Sequence, residues 1–269
     1  QQALWQANDR VQGGVAIINH PDVRRMLMQM KSETEAMRAV AYFAASHLDK
    51  AEKSADDKVK RHSAAMVELL TPVVKGWSTE TSQVLTSLGI QIHGGSGYVE
   101  ETGAAQHFRD ARITTIYEGT TGIQALDFAG RKILRDGGES VNAFIDQMSD
   151  VSSLLAGKEE LSALASSTTK AIHDLKESVA WLIENATDAN NLGAASYHLL
   201  MQAGLVIGGW QMARAAAIAA DKLASGFGDK EFLQAKIITA QFYVEHSLPQ
   251  AEAHAVSMRA GAESMMGLT

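Results

Sequence analysis

A glutamate, Glu118, stands in the run Arg112–Gln124, RITTIYEGTTGIQ, among β-branched and aromatic neighbours and just ahead of a helical pattern. A carboxylate there is either a helix-start residue stabilised by the helix dipole or, with Ile116, Tyr117 and the flanking threonines as apolar walls, a desolvated group. In the second case its pKa rises toward working pH and it can take up a proton. Gly119, directly after it, lets backbone approach a ligand closely. The hydroxyls of Thr120 and Thr121 and the N–H groups around Gly122 suit a pyrophosphate or ribityl group at a helix N-terminus, and equally an ordinary threonine N-cap. Upstream, Gln91, Gly94 and Gly95 close another helix, where glycine serves either a close-lying cofactor or a C-cap. Arg10 is followed ten residues later by His20, ahead of a long helical pattern.

Other chemistries are poorly served. The chain has no cysteine, so disulfides, thiolate nucleophiles and cysteine-ligated metals are excluded, and a reducing, cytoplasmic setting fits. Its nine histidines show neither H-E-x-x-H nor E-x-x-H, so no metal site is expected. A net charge of −7 argues against a nucleic-acid surface. No stretch approaches the roughly 20 apolar residues of a membrane span; the most apolar, Ala203 to Ala220, contains Gln211 and Arg214.

The elements that must position these groups read as helices throughout. Only three prolines occur in 269 residues, while Ala, Leu, Met and Gln abound, which predicts an all-α fold. Val23, Leu27, Met30, Thr34, Met37, Ala41, Ala44 and Leu48 form one stripe of a helix near 22–50. Val59, Ser63, Met66, Leu70 and Val73 mark a second. Ser78-Thr79-Glu80-Thr81 offers an N-cap for a third, which carries Val84, Leu85, Leu88 and Ile92. A short helix near 103–109 follows, and another over 121–134 has Ile123, Leu126, Gly130 and Ile133 inward. Asp136–Ser140, with two glycines and no apolar residue, is the expected joint between a bundle domain, 1–135, and a second helical domain, 141–269. In the latter, helices are expected near 141–155, 158–186, 192–224, 229–247 and 249–265. The opening QQALWQANDRVQGG has no initiator Met and no leader pattern, and reads as the interior of a longer protein.

The ordered set Q-x-x-G-G-x-G-Y at 91–98, R-D at 109–110 and I-Y-E-G-T-x-x-I-Q at 116–124 resembles the acyl-CoA dehydrogenase family, in its C-terminal helical domain. Arg10 and His20 resemble the family's entry to that bundle. The match departs from the family at Gly13-Gly14, where a Phe-Gly step is usual, at Pro21 in place of a flavin-contacting Gln, and at Gly122 in place of Glu. The resemblance implies Glu118 as the base that removes an α-proton, and Gly119 beside the bound thioester with the Glu118 N–H as an oxyanion donor. It also implies FAD contacts from Arg10, Gln91, Gly94, Gly95, Thr120, Thr121 and Gly122, with Arg109, Asp110 and Arg112 bracing the Glu118 loop. Residues 141–269 resemble the extra helical domain of longer members, methylthiopropanoyl-CoA dehydrogenase-like ones included.

The function so implied is FAD-dependent oxidation of an acyl-CoA to trans-2-enoyl-CoA in a homo-oligomer, with electrons passed to an electron-transfer flavoprotein or similar acceptor. Two alternatives stay open: a non-catalytic helical scaffold, and an acyl-CoA oxidase or nitroalkane oxidase on the same fold.

Overall fold

In a computed structural model that describes residues 1–268, the chain is helical apart from one small hairpin. Helix α1 (Gln2–Asp9) precedes strands β1 (Val11–Gln12) and β2 (Val15–Ala16), which pair antiparallel. Gly13 and Gly14, both at positive φ (62° and 83°), make the two-residue turn between them. Neither α1 nor the hairpin is foreseen by the helical periodicity, although a Gly-Gly pair between valines is a hairpin signal.

Helix α2 (Pro21–Lys53) starts with proline at its first position, where the missing N–H has no acceptor to lose. Its most buried positions include Met26, Glu33, Ala36, Val40 and His47; of the expected stripe, Val23, Leu27, Met30, Met37 and Ala44 are half-buried at the edge of the cores and Leu48 is exposed. The buried face is wide because α2 packs on α3 as well as on α10 and α11.

Helix α3 (Asp57–His93) is one element where two were expected. Ser78–Thr81 does not cap a new helix. Thr79 Oγ1 instead donates to Lys75 O at 2.8 Å and Ser82 Oγ to Thr79 O at 2.7 Å, so these hydroxyls bond back onto the helix they sit in. Short helices α4 (Gly95–Tyr98) and α5 (Ala104–Ile113) follow, then an irregular loop to α6 (Thr121–Leu126). A π turn, Asp127–Ile133, extends α6. Its i→i+5 geometry places Phe128 and Ile133 on one face, so Ala125, Phe128, Ala129 and Ile133 are buried while Ile123 and Leu126 face outward.

At the expected joint, Gly137 and Gly138 take positive φ, and Asp136 accepts from Gly138 N and Ser140 N, each at 3.0 Å. Beyond it come α7 (Glu139–Met148), α8 (Val151–Leu155), α9 (Ser162–Asn185), α10 (Ala189–Ala224), α11 (Lys230–Phe242) with a π turn Tyr243–Ser247, α12 (Gln250–Arg259) and α13 (Glu263–Met266). Residue 269 lies outside the described residues. Helix α10 is the central post, packed on α2, α3, α6, α9, α11 and α12. One hydrophobic core runs from Val73, Trp77, Phe128 and Ile133 through Phe144, Leu182, Trp210 and Tyr243. Among the described residues no helix is long and apolar enough to cross a membrane.

Candidate functional site

The residues singled out by sequence fall in two places. The first is an open cleft of about 700 Å³ lined by Arg10, Gln12, His20, Gln91, His93, Gly94 and Gly95, among others. Two distant stretches meet there because a small second core of Ala3, Ala7, Ile17, Met26 and Ile92 fastens α1 and the hairpin to the end of α3. Ile17 N donates to Arg10 O at 2.8 Å, which fixes the backbone that carries the guanidinium. Among the described residues Arg10 makes no ion pair, and its side chain is exposed. His20 Nε2 lies 3.1 Å from Gln12 O, and His93 Nδ1 lies 2.7 Å from Gly89 O, so both rings are tied to backbone.

The glycines at this end of α3 differ in what demands them. Gly97 is required by the chain itself, since a Cβ there would lie 2.5 Å from Ile90 O. Gly94 holds φ 66°, which glycine adopts freely. A Cβ at Gly94 or Gly95 would meet nothing within 4 Å, so internal packing does not exclude a side chain there. An exposed guanidinium, an amide side chain and bare glycine backbone around an open cleft form a donor set suited to part of a dinucleotide cofactor.

The second place is the loop between α5 and α6. Glu118 has φ 52° and, among the described residues, is the one non-glycine at positive φ, a left-handed conformation that costs about 1–2 kcal/mol. Gly119 follows at φ 89°, where a Cβ would fall 2.8 Å from Gln124 Nε2. The Glu118 carboxylate is exposed, and Ile116 and Tyr117 beside it are themselves about half exposed. The expected apolar walls are therefore present but not closed by the described residues.

The loop is held from α3. Lys75 Nζ donates to Thr114 O at 2.6 Å and to Gly119 O at 2.9 Å, and lies 5.8 Å from the centre of the Tyr117 ring. Gln83 Nε2 donates to Ala111 O at 2.7 Å. Glu80 accepts from the Thr121 hydroxyl at 2.6 Å. Thr120 Oγ1 caps α6 by accepting from Ile123 N at 3.3 Å. Of the three expected FAD contacts here, Thr121 thus turns its hydroxyl inward, whereas Thr120 and Gly122 are exposed. Arg112 bonds Thr115, three residues on, at the start of the loop. Arg109 pairs with Glu100 at 2.6 Å instead. Lys75 was missed by sequence reasoning; a lysine between Val74 and the buried Gly76-Trp77 pair was the signal available.

None of residues 118–122 lines the cleft of Arg10 and Gln91. Elsewhere, His173, Asp174 and Glu177 place ligand atoms within 4.8 Å of one another on α9. Lys170 and Arg259 pair with Asp174 and Glu177, at 2.6 and 3.7 Å, so this is a surface ion network.

Residues 1–133 match the family described as acyl-CoA dehydrogenase, C-terminal domain, and residues 139–269 the one described as acetyl-CoA dehydrogenase C-terminal like. Over 264 residues the chain is 42% identical to 3-methylmercaptopropionyl-CoA dehydrogenase of Ruegeria pomeroyi, covering 94% of this chain and 45% of that protein. Among solved structures, Caenorhabditis elegans ACDH-11 in complex with C11-CoA shares the fold with a TM-score of 0.76 at 24% identity, over 91% of this chain and 40% of that one. A Bacillus anthracis acyl-CoA dehydrogenase complexed with FAD does so with a TM-score of 0.72 at 20% identity, over 98% and 47%. The chain spans less than half the length of these relatives. With both halves of the chain matched and the Gln91–Tyr98 and Ile116–Gln124 motifs on the elements described above, the chain belongs to the acyl-CoA dehydrogenase family and carries its C-terminal helical domain.

Proposed function

We propose that this chain is the C-terminal part of an FAD-dependent acyl-CoA dehydrogenase in which Glu118 removes the α-proton of an acyl-CoA thioester. The observation that carries the reading is the left-handed Glu118 backbone, in a loop tied to Lys75 at Thr114 and Gly119, with a carboxylate that is unpaired among the described residues just ahead of α6. Strained conformations of this kind persist where surrounding structure over-determines them, and they cluster at reactive sites. The chain's own residues then have distinct tasks. Glu118 accepts the α-proton on its carboxylate. Gly119 keeps side-chain bulk away from the thioester, and the Glu118 N–H faces the thioester oxygen, where negative charge grows as the proton leaves.

FAD, when bound, supplies a flavin ring able to accept the β-hydrogen as hydride, so that the thioester leaves as trans-2-enoyl-CoA. Arg10, Gln91, Gly94 and Gly95 would hold its polar arm, with Thr120 and Gly122 at a second contact. Closing the half-open walls of Ile116 and Tyr117 over Glu118 falls to the rest of the longer protein, and this closure would keep water away from the carboxylate. The remaining proposals are a homo-oligomer as the working form and an electron-transfer flavoprotein as the acceptor.

In the complete protein, Glu118→Gln should retain flavin and bind acyl-CoA but slow flavin reduction by about 10²–10⁴-fold, because the amide keeps the shape and loses the basicity. Bleaching of the flavin by substrate at the parent's rate would remove Glu118 from this role.

A further inference from the structure

We propose that Lys75 is a positioning residue for the base, holding the Glu118 loop in its reactive shape by bridging the carbonyls on either side of it; this rests on Glu118 being the base. The ammonium carries three N–H donors and no acceptor. Two of them reach Thr114 O and Gly119 O, the points at which the chain leaves α5 and prepares to enter α6. Thr114 is the C-cap residue that follows α5, where carbonyls have no partner within the helix. Gly119 O, directly after the left-handed Glu118, faces α3, where Lys75 Nζ reaches it. One half-buried cation therefore satisfies both ends of the segment that contains Ile116, Tyr117 and Glu118. Its distance from the Tyr117 ring, 5.8 Å, lies within the range of a cation–π contact.

The other tie on Glu118 is weak. Gln124 Nε2 reaches Glu118 O only at 3.4 Å, at the long limit of a hydrogen bond. Removing the ammonium would leave two carbonyls without a donor; Thr115, Ile116 and Tyr117 keep their bonds to Thr121 N, Ile113 O and Ile113 O, so the loosening falls on Glu118 and Gly119, and Glu118 would leave the left-handed region first. Lysine suits the task because a compact ammonium on a flexible stem can point at two carbonyls at once, whereas the planar fork of arginine approaches them less well.

The experiment uses the complete, flavin-loaded protein with Lys75→Met, which keeps the stem and removes the donors, and with Lys75→Arg. Amide exchange over residues 114–121 should accelerate in Lys75→Met while α2 and α10 keep the parent's protection. Flavin reduction by acyl-CoA should slow about 10–100-fold, as expected for a displaced catalytic group, at unchanged flavin content and acyl-CoA affinity. Lys75→Arg, which keeps the charge and donors in a poorer geometry, should recover part of the rate. Unchanged loop exchange, an unchanged rate, or a loss that follows flavin content and is as large in Lys75→Arg would overturn the proposal. Should Lys75→Met not accumulate as a folded flavoprotein, Lys75→Gln, which keeps one donor group, is judged by the same readouts. Normal reduction by Glu118→Gln would sink the base assignment and, with it, the role of Lys75 toward a base; an inert Glu118→Gln beside a fully active Lys75→Met would sink only the role of Lys75.

Discussion

His198 on α10 and His254 on α12 meet through their Nδ1 atoms at 3.1 Å, with the Tyr197 ring against both. One ring donates and the other accepts, so the accepting nitrogen cannot take a proton without breaking the bond. Burial pushes His254 down to about 4, assisted by the neighbouring His198, and burial lowers His198 as well. With folded values below the unfolded one, the unfolded chain binds more protons between pH 6.5 and about 4. The contribution of this pair to stability is therefore fully present above pH 6.5 and is lost as the pH falls through that window. Denaturant titrations at pH 7 and pH 5 should show the loss, and His254→Gln should reduce the difference between the two. An equal difference in the variant would assign the acid sensitivity to other groups.

At the scale of elements, α10 is buried on nearly every side, and its glycines set how closely its neighbours approach. A Cβ at Gly204 would stand 2.1 Å from Trp77 Cγ, and one at Gly208 would stand 2.6 Å from Tyr243 Oη. Gly193, on the same helix, has nothing within 4 Å of its Cβ position. Gly204→Ala should therefore destabilise the protein by about 1–3 kcal/mol through overpacking, while Gly193→Ala should stabilise it by about 0.5–1 kcal/mol through helix propensity alone. Thermal melts of the two variants give the signs directly. We also propose that 1–135 and 141–269 are two sequence units that fold around one shared core. The buried Glu33 of α2 accepts from Ser247 at 2.8 Å, and Lys236 pairs with Glu35 at 2.6 Å, so polar ties as well as apolar packing cross the division. Gly204→Ala should accordingly shift a single melting transition rather than split it.

For the whole molecule, the separation of the Arg10–Gln91 cleft from the Glu118 loop has a consequence for assembly. We propose that one chain serves two cofactor copies: the loop faces the ring of one, and the cleft holds the polar arm of another bound mainly by a neighbouring subunit. A structure of the complete oligomer with FAD should place Arg10 and Gln91 within hydrogen-bond or water-bridged reach of a flavin nucleotide whose ring faces a different chain's Glu118. Finding both residues more than about 8 Å from every flavin would refute the arrangement.

Helix content, the break at Asp136–Ser140 and the candidate residues Glu118, Gln91 and Gly94 were legible in the sequence, because each depends on local chemistry: propensity, turn-forming glycine, and motif spacing. Helix phase was less so. Ile123 and Leu126 read as core yet face outward beside a π turn, and Ser78–Thr81 reads as a cap yet lies within α3, where Thr79 bonds back onto the helix it sits in. The sequence by itself determined which side chains could do chemistry. Only the tertiary structure decided that Arg10 meets Gln91, that Lys75 reaches across 39 and 44 residues to Thr114 and Gly119, and that Glu118 holds a left-handed backbone. Those three facts depend on contacts between segments distant in the chain, which exist only once α10 and the small second core have drawn the helices together.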